Sequence, residues 1–170
     1  EIIGKRGRGC TMRVFVKYGV ALCTFLISTV AALYEGSEIK DHPFEWRSSA
    51  VFSQWVHGEV KTSADILVVD YLVYAAKFKP FFPLLLLMGL IYFIALSGVV
   101  VFQKRKFSLI MYFGVWAVML LLAAFFIFPA HSLGMKMISI VFITSGTASG
   151  LAASLLYLIY KKEGVVVWGH

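Results

Sequence analysis

Apolar residues fall along this chain in four long, nearly unbroken blocks. The first runs from Val14 to Tyr34 and carries one charge, Lys17. The second runs from Phe81 to Phe102, directly after Pro80. The third runs from Phe107 to Phe128 and stops at Pro129, and the fourth spans Met137 to Tyr160. The last three contain no Asp, Glu, Lys or Arg. A helix needs about 20 apolar residues to cross a hydrocarbon core of about 30 Å. Lipid offers no partner to a free backbone N–H or C=O, so blocks of this length are helices. The pattern predicts an all-α fold, an integral membrane bundle of four transmembrane helices at 14–34, 81–102, 107–128 and 137–160. A basic tail at 1–13, a long loop at 35–80, a basic turn at 103–106, a turn at 129–136 and a tail at 161–170 complete the chain.

The 35–80 segment has a different character. From Gly36 to Val60 it mixes charges with Phe44, Trp46, Phe52 and Trp55, and Ala50-Val51-Phe52-Ser53 suggests a short strand. Further on, Thr62 and Asp65 have the spacing of a capping box, which satisfies free N–H groups at a helix start. Leu67, Tyr71, Tyr74 and Phe78 then recur at helical spacing. Asp65 and Asp70 lie early and Lys77 and Lys79 late, as the helix dipole favours. Pro80 discourages Lys79 from continuing the helix. The expected element is an amphipathic helix from Thr62 to Lys79, too short to span, lying at the outer interface or folded over the bundle. Trp46, Trp55, Tyr71 and Tyr74 are the candidate contacts for a lipid or a partner helix. A purely structural role for the segment is the competing, simpler reading.

Composition narrows the class. The chain has 170 residues, 60% hydrophobic and 15% charged, with a mean hydropathy of +0.84. Soluble domains are about 45–50% apolar and about 25% charged, so this chain carries too little charge to cover a water-facing surface. Disorder is excluded for the opposite reason, because it requires low hydrophobicity. The net charge of +7 comes from basic residues lying between apolar blocks. A nucleic-acid footprint needs them clustered on one soluble face, so no nucleic-acid partner is expected.

Basic residues near span ends set orientation. One side receives Lys5, Arg6, Arg8, Arg13, Lys17, Lys104, Arg105, Lys106, Lys161 and Lys162. The other receives Lys40, Arg47, Lys61, Lys77, Lys79 and Lys136, together with seven acids in the long loop. This predicts both termini in the cytoplasm and the loop outside, in a multi-pass plasma-membrane protein. Lys17 sits one turn inside the cytoplasmic end, where its stem lets the ammonium reach the headgroups. Tyr18, Tyr112, Tyr157 and Tyr160 near the inner boundary, with Tyr34, Trp46 and Trp55 near or beyond the outer one, form an aromatic belt.

Two readings of the first block stand. Met12-Arg13-Val14 resembles a natural start, and the apolar run is long enough for a retained span. Alternatively Met12 to Ala32 is a cleaved secretory signal with Val30-Ala31-Ala32 as its small-residue site. Cys23 follows Leu22, which is not the small residue a lipoprotein site needs, and reads as a packed apolar side chain.

Chemical motifs are sparse. In the fourth block Gly146-xxx-Gly150 marks a close helix contact, because small residues let helix backbones approach in lipid. Its partner is a second span of this chain or a second copy. His42, His57, His131 and His170 lack the spacing of a helical metal site, and no Cys-x-x-Cys is present. No catalytic, cofactor-binding or metal-binding residue is assigned, and no cofactor is expected. The last three spans lack the ionisable residues that carriers place in their spans.

Tyr34-Glu35-Gly36-Ser37, Phe44-Glu45-Trp46-Arg47, Val51-Phe52-Ser53, His57-Gly58-Glu59-Val60 and Tyr74-Ala75-Ala76-Lys77-Phe78 are similar to segments of a family of small membrane proteins from Bacillus-type bacteria, the YjdJ-like group. The resemblance runs from Met12 to the end of the second span. It implies a Gram-positive plasma-membrane location and supplies no activity. The leading expectation is therefore a non-enzymatic membrane or envelope component that engages a lipid or protein partner through its outer loop. An oligomeric transport subunit is the alternative. A membrane enzyme using His57, Glu59 and Asp70 is the weaker one.

Overall fold

A computed structural model of the chain describes residues 2–129 and 132–167, with side chains described for 12, 14–129 and 132–162. His131 and His170 lie outside the described residues, as do the side chains of Lys5, Arg6, Arg8, Cys10 and Arg13. Every regular element among the described residues is helical. Seven α-helices follow one another: α1 (Ile2–Gly36), α2 (Trp46–Ser49), α3 (Val51–His57), α4 (Val68–Phe78), α5 (Phe81–Phe102), α6 (Lys106–Ile127) and α7 (Leu133–Val167). Short 3-10 turns at Ser37–Asp41, Pro43–Glu45 and Ser63–Asp65 complete the segment between α1 and α5.

Among the described residues four helices are long and apolar enough to cross a membrane, at Val14–Asp41, Phe81–Phe102, Lys106–Ile127 and Leu133–Lys162. The second coincides with the apolar block 81–102. The first and last helices extend beyond their blocks, because helix geometry does not stop where hydrophobicity does: α1 begins at Ile2 and α7 continues to Val167. Pro83 lies in the first turn of α5, where the missing N–H costs nothing.

The chain divides into two compact units, Glu1–Phe93 and Ile94–His170. In the first, α1 carries a line of small or polar buried residues, Ala21, Ser28 and Ala32. Gly89 of α5 approaches α1 at Ala21 and Phe25. Tyr18 meets Phe93 edge to face at 5.2 Å. Residue numbers rise on α1 as they fall on α5, so the two run antiparallel.

In the second unit α6 and α7 form an antiparallel hairpin. Gly146 faces Leu120 and Leu121, and Gly150 faces Ala117. Ser139 donates to the Ala124 carbonyl at 3.3 Å, and Phe107 meets Tyr160 at the other end. Both glycines of the Gly146-xxx-Gly150 motif thus lie against a helix of the same chain. Gly98 of α5 leaves room for the Tyr112 ring, whose hydroxyl donates to the Ile94 carbonyl at 2.9 Å.

Candidate functional site

Between Ser37 and Lys79 the chain folds into a small helical domain seated on the end of α1. Its core is Ile39, Ala50, Ile66, Tyr71 and Tyr74, with Leu33 of α1, Trp46 and Val60 packed against it. The closest approach is at Gly36, whose missing side chain lies against the Tyr71 backbone. A β-carbon there would sit 2.0 Å from the Tyr71 carbonyl oxygen. Gly36 has ordinary helical angles, φ −70° and ψ −20°, so space rather than backbone freedom requires the glycine.

Two expectations for this segment are corrected. Ala50-Val51-Phe52-Ser53 is not strand: Val51 opens α3. The Thr62–Asp65 capping box is present, with Asp65 accepting from the Thr62 N–H at 2.9 Å, but it closes one 3-10 turn instead of starting a long helix. Ile66 and Leu67 are extended, and α4 begins only at Val68. The break lets Ser53 Oγ accept from the Leu67 N–H at 2.7 Å and joins α3 to the start of α4.

Asp70 organises this junction and is fully buried. Its carboxylate accepts from the Phe52 N–H at 2.9 Å, from the Ser53 N–H at 2.7 Å and from the Ser53 hydroxyl. Ala50, at the N-cap of α3, has no side chain able to accept these bonds. Asp70 therefore supplies the cap from another helix. It also lies in the first turn of α4, so its negative charge meets the positive ends of two helix dipoles. The sequence placed Asp70 early in α4 and among the polar loop residues of the weaker enzyme reading; its 18-residue reach to Phe52 leaves no periodic signal.

Charged side chains brace the rim. Lys77 Nζ binds Glu45 at 3.1 Å and Ser48 at 2.8 Å, and Lys79 pairs with Glu38. The Ser48 hydroxyl, then Lys77, hold the Glu45 carboxyl below its usual range. Backbone and hydroxyl donation from Thr62 does the same for Asp65. The bond to Glu38 raises Lys79, and burial raises the Tyr74 phenol.

The structure separates the four aromatic candidates. Tyr71 and Tyr74 are buried in the core, Tyr74 stacking on His42. Trp46 packs on the same core and donates its indole N–H to the Ile39 carbonyl at 2.7 Å. Trp55 stands apart, 89% exposed. A cavity of about 450 Å³ beside Trp46 is lined by Pro43, Arg47, Gln54, Gly58, Glu59 and Val60. Gly58 closes α3 with φ +77°, a conformation that suits glycine. Among the described residues no group of three or more His, Cys, Asp or Glu gathers as a metal site.

Residues 15–102 match the family model described as "Domain of unknown function (DUF4306)". The chain belongs to this family. It is 26% identical over 92 residues to "Uncharacterized protein YjdJ" of Bacillus subtilis (strain 168), covering 53% of this chain and 84% of that protein. No solved structure matches the chain at a significant level. The family match takes in most of α1, all of the loop domain and α5, so Gly36, Asp70 and Ser53 all lie within it. The α6–α7 hairpin lies beyond it.

Proposed function

We propose that this chain is a multi-pass plasma-membrane protein whose loop domain stands outside the membrane and works as a non-enzymatic binding module for a lipid or protein partner. The single observation that carries this reading is the domain's division of its aromatic residues. Trp46, Tyr71 and Tyr74 are committed to its own core, whereas Phe44 and Trp55 are 98% and 89% exposed. Large apolar side chains held outward by a rigid core are what contact surfaces use. The excess of Lys and Arg at the ends and in the Lys104-Arg105-Lys106 turn supports cytoplasmic termini. An enzymatic reading is poorly served by Asp70, whose two oxygens are occupied by Phe52 and Ser53.

Topology is tested by single cysteines in a chain whose Cys10 and Cys23 are replaced by Ser. A membrane-impermeant maleimide should label Phe44→Cys in intact cells, and Lys104→Cys only after permeabilisation. The opposite labelling refutes the orientation. Contact is tested by a photo-crosslinker in place of Trp55, which should capture lipid or protein in native membranes. Capture of neither refutes the binding role. Trp46 is unsuitable for this test, because its replacement removes a bond inside the core.

A further inference from the structure

The helix α3 is built inside out. Ser53 is turned inward and fully buried against Asp70, Gln54 is half-buried, and His57 at the end of the helix is exposed. Its apolar side chains Val51, Phe52, Trp55 and Val56 are exposed. At 100° per residue these four occupy one arc of the helix. At the start of α4, Val68 and Val69 are exposed as well, and Ser53 ties this end of α4 to α3 through the Leu67 N–H. A surface helix facing water has the reverse arrangement, polar outside and apolar inside.

We propose that this face rests in the boundary between headgroups and acyl chains of the bilayer that holds the chain's own long helices, so that α3 is the interfacial helix of the domain. The inference rests on the membrane reading above and deepens it by naming lipid as the partner. Two observations favour lipid over other occupants. The domain is tied at both ends, through Gly36 and Phe81, to helices apolar enough to span, which keeps a bilayer surface permanently within reach. The exposed face also carries no acidic side chain to repel phosphate headgroups, and centres on Trp and Phe. Trp belongs to the residues enriched at membrane interfaces. α4, which the sequence leads one to expect at the outer interface or folded over the bundle, buries Asp70, Tyr71, Tyr74 and Ala75 in the domain.

The test uses the full chain without Cys10 and Cys23, reconstituted in vesicles of phosphatidylglycerol and phosphatidylethanolamine. A nitroxide is attached at Val56→Cys or, for comparison, at Glu59→Cys, whose native side chain is 83% exposed. The Val56 label should collide more with oxygen, which concentrates in lipid, than with a water-soluble nickel chelate. The Glu59 label should show the opposite. Equal chelate access at the two positions overturns the proposal. Shielding of the Val56 label from both reagents also overturns it and points to a second copy or a protein partner on this face. Trp55→Ser provides a second measurement: it should release the domain from the interface and raise chelate access at Val56→Cys, while the protease resistance of the 37–80 domain is unchanged. The maleimide topology labels report on the membrane reading separately, so a failure of either is distinguishable.

Discussion

Replacing Gly36 by alanine tests how the loop domain is seated on α1. The new methyl would stand 2.0 Å from the Tyr71 carbonyl oxygen, 2.5 Å from its carbon and 2.8 Å from the Tyr71 α-carbon. All three are backbone atoms of α4, so no rotamer change relieves the contact and the helix itself must move. Overpacking of this kind costs about 1–3 kcal/mol, and a backbone obstacle belongs at the upper end. Against it stands the higher helix propensity of alanine, about 1 kcal/mol at most, since Gly36 already has helical angles. The net is a loss of about 2 kcal/mol, which raises the opened population of the domain by about 30-fold. The sign is the informative part. A glycine that merely ended α1 would be improved by alanine, whereas a glycine that admits α4 would be harmed. Limited trypsin digestion of the purified protein in detergent reads this directly, because Lys40, Arg47 and Lys61 lie within the domain. Cleavage there should accelerate in Gly36→Ala, with the long helices unaffected. Equal or slower cleavage would refute the close seating of α4 on α1.

Three further outcomes follow from the same contacts. Asp70→Asn keeps the shape but sets an amide NH₂ against a donor of Phe52 or Ser53; with charge-assisted bonds worth about 1.5–3 kcal/mol, the domain should lose about 2–3 kcal/mol and its amides at Phe52 and Ser53 their hydrogen-exchange protection. On α7, Gly150→Ala should be stabilising by up to about 1 kcal/mol, as its methyl would lie 3.8 Å from the Ala117 β-carbon, whereas Gly146→Leu should lower the melting temperature in detergent, because even a β-carbon there reaches 3.0 Å from Leu121. Protease resistance of the loop domain should also depend on pH at both extremes. Glu45 and Asp65 are held below their ordinary values of 4.5 and 3.8, so their contribution is present above those values and fades as pH falls through the lowered ones. Lys79 and Tyr74 are raised from 10.5 and 10.0, so their contribution is complete below those values and fades as pH rises past the raised ones; resistance that is flat from acid to alkaline pH would refute these pairings.

The four long helices were legible in the sequence because one residue-level property, sustained apolarity over about 20 positions, decides them without reference to anything distant. A turn at 103–106 and the stop before Pro80 were legible for the same reason, charge and proline acting on their immediate neighbours, although Lys106 already belongs to α6. The loop domain was legible only in fragments. Thr62 and Asp65 signalled a cap, and a cap formed, yet nothing local says that Ile66 and Leu67 then leave the helix so that Ser53 can reach the Leu67 N–H. Tertiary structure decided that Asp70 caps α3 from 18 residues away, that Gly36 is needed for the Tyr71 backbone, and that α3 turns its serine inward and its tryptophan outward. Each of these depends on which buried polar group finds which partner, and that pairing exists only once the chain has brought distant segments together.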